Sequence, residues 1–363
     1  MVQDVNVCMK MIFYFIKYLL SWCLCCLLFA GCSTDNEKSL SAIFKGLQVE
    51  AKAEVTKIHS RDITTPLYTE CYKNLLICAN FHGEKKIRVY DLTTGEIVNE
   101  FLNVGKGPDE ILNVSSMYIL RDSLIVYCAN SRKLISTPLE GLFTAPVELT
   151  VTSDFGNYSR VLPLDNGSFV TTGLFDESGY LHLINNKGNS QVLEYFPDDG
   201  ISNFKEEKSI AYQGKLHGNP AGSKFVYGSS YGLILRFMEI KESSAKKNKE
   251  YIFEMPSYIP DSKPQKQNFA VRWANDALRG VLSMTGSDKY CFILCEENKK
   301  VLDKNWRISS VYVFTWEGTP VQKICLERAV ENITYHASSK SLITLTINEN
   351  DEPEFVFYRI RKN

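Results

Sequence analysis

Histidine is scarce in this chain, net charge of either sign is small, and CxxC pairs are missing beyond residue 32. The five histidines (His59, His82, His182, His217, His336) form no HExxH and no i, i+4 pair, so no helix-borne zinc site is read. His182, inside the run "LHLI", reads as a packed strand residue. Without a CxxC pair after residue 32, a zinc ribbon or a thioredoxin-like site is excluded. A net charge of −1 argues against nucleic acid as a partner, because phosphate binding needs a clustered cationic surface. No G-x-S-x-G elbow is read either, so nothing suggests a serine hydrolase.

What is present is strand-forming composition: 20 Phe, 19 Tyr and frequent Val, Ile and Thr, residues suited to half-buried pleated sheets. The N-terminus is of another kind. Lys10 and Lys17 precede "YLLSWCLCCLLFA" (18–30), thirteen uncharged residues, too short a run for a membrane span and of the length of an export signal. "FAGC" (29–32) resembles a bacterial lipobox, which implies cleavage after residue 31 and a lipid on Cys32. Several acyl chains, each buried CH₂ contributing about 0.8 kcal/mol, hold a domain firmly on a membrane. The expected organisation is a signal peptide over 1–31, a flexible polar tether over 32–47 and one domain over 48–363.

The six cysteines after residue 32 (Cys71, Cys78, Cys128, Cys291, Cys295, Cys325) sit mostly in apolar runs such as "LLICANF" and "YCFILCEE". They read as buried free thiols acting as small hydrophobes.

The fold is carried by a repeat. "IRVYDLTTGEIVNEF" alternates apolar residues about a turn at Gly95, and the same shape recurs about Gly141, Gly188 and Gly318. The first three glycines are 46 and 47 residues apart; the last interval, 130, fits three periods. The hairpin this requires falls at 233–255, with the lysine-rich "KESSAKKNKE" expected as a solvated loop. Four short strands per period of roughly 40–50 residues predict an all-β propeller. Six four-stranded antiparallel blades are expected, at 60–102, 114–151, 158–196, 209–255, 278–326 and 330–360. The sixth lacks its outer strand, which "AEVTKI" (53–58) would supply from the other end of the chain.

"GKGPDE" (105–110) lacks the spacing of a phosphate-binding loop, and no helical pattern follows it. It reads as the corner between blades one and two, with Gly105 and Gly107 allowing positive φ, Pro108 fixing the turn and Asp109 and Glu110 accepting backbone hydrogen bonds. Gly105, Gly107, Pro108 and Glu110, with Asn130 and Arg132 downstream, resemble the NHL-type propeller repeat. With the lipobox and the hairpin "VYVFTWEGTPVQKICL", the chain resembles the TolB-like six-bladed propeller lipoproteins of Bacteroidetes. That resemblance implies a cell-envelope protein held on the outer membrane by lipid.

For function the expectation is a non-catalytic binding or scaffold module for a protein, peptide or glycan, with the membrane as second partner and no cofactor or metal. Arg272, Trp273 and Arg279 in "NFAVRWANDALRG" (268–280) are the candidate binding residues, an aromatic and cationic patch. The favoured reading of the same stretch is structural, with Phe269, Val271 and Trp273 plugging the loop onto the ring. The alternative function is an axial enzyme, a metal-dependent lactonase or hydrolase, or a lyase. It would gather oxygen ligands such as Asp165, Asn166, Asn219 and Asp288 from inner-strand turns.

Overall fold

A computed structural model of the chain describes residues 39–64, 66–144, 146–173, 179–241, 244–260 and 271–360. The export signal, Cys32 and Phe269 lie outside the described residues. Six antiparallel sheets follow one another along the chain. Their inner strands are Pro66–Tyr72, Ser116–Leu120, Arg160–Pro163, Gly214–Gly218, Ser283–Gly286 and Asn332–His336. Each inner strand touches the next, and the sixth touches the first, so they form a closed ring around a central channel. Hydrogen bonds cross between neighbours: Tyr68 donates to the Ser115 carbonyl (2.6 Å), Ser116 to that of Val161 (3.0 Å), and Tyr335 N to Thr285 Oγ1 (2.9 Å).

Apolar strand faces are buried between blades. Five clusters fill the wedges, joining blades one and two, two to four, four and five, five and six, and six and one. All six cysteines of the domain are free; Cys78, Cys128, Cys291 and Cys295 are buried among these apolar side chains. His182 is fully buried in its strand, its Nδ1 2.9 Å from Ser190 Oγ.

The ring closes as the repeat predicts. Ala53–Val55 lies antiparallel on Pro353–Arg359, with Ala53 opposite Tyr358 and Val55 opposite Val356. A second N-terminal strand, Gln48–Ala51, runs parallel to Pro320–Val330 as a fifth strand of blade five. This one was not expected. Nor is the stretch up to residue 47 all tether. Ser39 caps a short helix, Leu40–Ile43, and Leu40 and Phe44 are 0 % and 2 % exposed in the cluster between blades four and five. The packed domain begins at Ser39 rather than at residue 48, because two apolar side chains in a polar stretch suffice to dock it.

Three local expectations are corrected. The lysine-rich segment of blade four is strand, not loop: Leu233–Lys241 pairs with Ser244–Glu254 until Lys241 meets Ser244. Its lysines face water on an outer strand, where charge blocks pairing with other chains. The stretch about Gly141 is no tight hairpin; a 3₁₀ turn, Leu139–Phe143, separates Lys133–Pro138 from Thr150–Thr152.

The third concerns the "GKGPDE" corner, where neither Gly105 nor Gly107 has positive φ. The two glycines instead leave room for the Glu110 carboxylate, which folds back over the turn. A Cβ on Gly105 would stand 1.9 Å from Glu110 Oε2. Glu110 accepts from Gly107 N (2.8 Å), and Lys133 Nζ donates to the carbonyls of Gly107, Pro108 (3.0 Å) and Glu110 (2.8 Å). The motif is a clasp joining blades one and two.

Candidate functional site

The channel inside the ring widens toward the ends of the inner strands. There it forms a funnel of about 660 Å³, bordered by Ile119, Leu120, Leu162, Pro163, Tyr290 and Tyr335 and by the polar side chains of Asn219, Ser287, Asp288, Lys289 and Lys340. Glu70, Tyr118 and His217 stand where the funnel meets the narrow part. The narrow part, about 50 Å³, is lined by Tyr68, Arg160, Lys215, Asn332 and their neighbours near the starts of the same strands. Alternation along an inner strand explains this layering. Lys215 and His217 on one strand, and Arg160 and Leu162 on another, are two residues apart, share a face, and differ in depth by roughly 6–7 Å.

Two phenols brace the lumen. Tyr118 of blade two donates to the Leu216 carbonyl of blade four (2.9 Å). The Tyr68 ring has the Arg160 guanidinium 5.9 Å and the Lys215 ammonium 5.8 Å from its centroid. Both are cation–π contacts on one ring. Among the described residues neither cation has a carboxylate in salt-bridge range, and Glu70 has no hydrogen-bond partner.

Deep enclosure moves all three neighbouring titratable groups toward their uncharged forms. Burial pushes the Glu70 carboxyl up to about 8. Burial, reinforced by the Arg160 charge, brings Lys215 down to about 7. Burial holds His217 at about 4, so the imidazole, stacked on Trp316 at 6.3 Å, is neutral. Burial likewise raises the Cys71 thiol, which removes it as a nucleophile at neutral pH.

These shifts predict a pH profile. From its ordinary 4.5 to about 8, Glu70 keeps in the folded ring a proton that the unfolded chain has lost, so stability falls as pH rises. From about 7 to its ordinary 10.5, Lys215 has shed in the folded ring a proton that the unfolded chain keeps, so stability rises with pH. Urea denaturation across this range should show Glu70→Gln without the falling limb and Lys215→Met without the rising one. Profiles parallel to the wild type in both variants would refute the assignment.

The axial donors do not fit a calcium ion, which needs several anionic or carbonyl oxygens. Two cations and one protonated carboxyl have the opposite character. Among the described residues no three His, Cys, Asp or Glu side chains gather within reach of one metal. Asn219 and Asp288 do border the funnel. Asn219 Oδ1 is engaged by Ser223 N and Lys224 N (2.9 and 2.8 Å), Asp165 is paired with Arg121, and Asn166 Oδ1 accepts from Ser168 N (3.0 Å). The expectation of no G-x-S-x-G is corrected: "GSSYG" (228–232) has that spacing. It occupies the turn between Lys224–Ser229 and Leu233–Lys241, with no helix after it, and Ser230, at the nucleophile position, is held there by its backbone, its N donating to the Gln213 carbonyl (2.9 Å) and its carbonyl accepting from Gly280 N (3.0 Å). It is a strand connection.

The 272–279 stretch lies apart from the funnel lining. Arg272 and Trp273 pair with Tyr258–Ile259, Arg272 is exposed, and Trp273 stacks on Tyr231 at 3.6 Å. Arg279 bridges Tyr231 through its backbone and donates from its guanidinium to the Val301 carbonyl (2.9 Å). Tyr231 thus gathers Trp273 and Arg279, but both are engaged in holding the connection between blades four and five. The polar lumen, which the sequence reading did not name by residue, carries a signal in hindsight: Glu70, Arg160 and Lys215 each interrupt or border an inner-strand run.

The family model for TolB-like 6-blade propeller-like proteins matches residues 44–338. No curated protein matches the chain. In three dimensions it is similar to a candidate exported protein of Bacteroides fragilis, at a TM-score of 0.56 and 12% identity, over 86% of this chain and 96% of that one. It also overlays on Raptor of Chaetomium thermophilum, at a TM-score of 0.49 and 12% identity, over 86% of this chain and 29% of the other. At such identities the likeness is one of fold.

Proposed function

The chain belongs to the TolB-like six-bladed propeller family, and from that premise we propose a binding module of the cell envelope, held on the outer membrane by a lipid on Cys32, that takes its ligand in the axial funnel. The observation that carries this reading is the funnel itself. A mouth of about 660 Å³ tapering to about 50 Å³ suits the end of a chain better than a flat face. Its aliphatic and proline wall, with Tyr290 and Tyr335, suits peptide side chains. The exported description of the Bacteroides fragilis protein supports placement in the envelope.

An axial enzyme would draw on Glu70, whose carboxyl remains protonated near neutral pH. An acid alone does not make a site: Cys71 and His217 are held in their protonated thiol and neutral imidazole forms, and neither is hydrogen-bonded to Glu70. Binding is the reading these groups support.

Ala337 is exposed on the funnel rim. Peptides retained by the wild type on an array should be lost by Ala337→Trp and kept by Trp273→Ala; the reverse pattern would move the site to the 272–279 patch. Cys32→Ala should abolish acyl labelling and shift the protein from the membrane to the soluble fraction. Unchanged labelling would refute the anchor.

A further inference from the structure

Among apolar neighbours such as Met117, Leu282 and Met284, the polar side chains at the narrow end of the channel are mostly hydrogen-bond donors. Arg160 and Lys215 flank Tyr68 there, with no carboxylate in salt-bridge range among the described residues. Asn332, on the same lining, has its side-chain oxygen committed to Leu345 N (3.2 Å), and its amide nitrogen has no partner among the described residues. The Thr69 hydroxyl, also on this lining, has none either. The one carboxyl bordering the region, Glu70, stands at the funnel side. A polar cluster with this sign, uncompensated inside a nearly neutral protein, is costly unless something of opposite charge completes it.

We propose that the narrow end of the axial channel is a carboxylate-binding site, in which Arg160 and Lys215 hold the anionic group of the ligand whose remainder lies in the funnel. This rests on the funnel reading and adds the ligand's chemistry. A guanidinium presents two parallel donors to a carboxylate, and a neighbouring ammonium adds a third. The space, about 50 Å³, admits such a group and little more. The carboxylate can come from a free small acid or from the C-terminus of a peptide.

Binding is coupled to protons. The groups facing Lys215 are Tyr68 and Glu70 of blade one, Tyr118 of blade two, Arg160 of blade three and His217 of its own strand. An arriving anion favours charged Lys215, so affinity should fall as pH rises from 6 to 9, while Lys215 deprotonates and Glu70 ionises.

The test uses the full chain, with binding followed by ligand-observed NMR and thermal shift. Four probes are compared: an N-acetylated tripeptide with a free C-terminus, its C-terminal amide, acetate and inorganic phosphate. The free acid should bind at least about tenfold more tightly than the amide. Lys215→Met and Arg160→Met should each remove that preference, and Lys215→Arg should retain it. Lys215→Met should also raise the melting temperature of the unliganded protein, since it relieves an uncompensated charge; a purely structural lysine would give a lower one. Acetate acting as strongly as the tripeptide acid assigns the site to free small acids, and the tripeptide acid acting alone assigns it to chain ends. Amide and acid binding equally, or phosphate binding more tightly than either carboxylate, overturns the proposal while leaving the funnel reading intact. No binding by any probe, with Ala337→Trp also without effect on array peptides, overturns the funnel reading as well.

Discussion

Phe44→Ala is expected to destabilise the domain by about 3–5 kcal/mol, the range for removing a large aromatic side chain from a packed core. Phe44 is 2 % exposed and stands edge-on to two rings, Tyr312 at 5.1 Å and Phe314 at 5.0 Å. Its neighbourhood cannot easily collapse, because Tyr312 and Phe314 belong to a central strand of blade five, Ile308–Thr315, paired on both sides. The short helix before it is tied down as well, by Ser39 Oγ accepting from Ala42 N (3.1 Å) and by Ser41 N donating to Glu297 (2.9 Å). Urea denaturation of the variant measures the cost. A loss under about 1 kcal/mol, the scale of an ordinary surface change, would mean that the segment before Gln48 is a tether after all.

Gly95→Ala, a single added methyl, is expected to cost about 2–4 kcal/mol, and to do so through ring closure. Gly95 turns the outer hairpin of blade one at φ +85°, a left-handed conformation that costs an L-residue about 1–2 kcal/mol. The added Cβ would also lie 2.2 Å from the Lys57 carbonyl oxygen, a backbone atom that cannot swing aside. Lys57 directly follows the closing strand Ala53–Val55 and precedes Ile58, which is buried between blades six and one. Moving it strains that seam, at the roughly 1–3 kcal/mol typical of overpacking. Hydrogen exchange should therefore speed up for the amides that pair Ala53–Val55 with Pro353–Arg359. Destabilisation without faster exchange in those strands would mean that the turn is strained but the closure is not.

Much of the fold was legible because a propeller repeats. Hairpins about Gly95, Gly188 and Gly318 share a period, and the missing outer strand of blade six pointed to residues 53–58. The lysine-rich 241–250 stretch was misread because charge on an outer strand resembles charge in a loop. The glycines of "GKGPDE" read as freedom for positive φ, which neither uses; what lies against them is the Glu110 carboxylate, a contact three to five residues away that no spacing rule announces. Leu40 and Phe44 were passed over because two apolar residues carry no periodicity. The lumen was illegible for a different reason: Glu70, Arg160 and Lys215 are 90 and 55 residues apart in sequence.

By itself, the sequence determined the number of blades, their order and the joining of the chain's two ends. Alternation, turn residues and spacing are local properties, and any chain with this pattern must bury its strand faces against neighbouring sheets. Tertiary structure alone decided which side chains meet at the axis. Each inner strand contributes only a few, and their charge states follow from burial inside the closed ring rather than from neighbours along the chain.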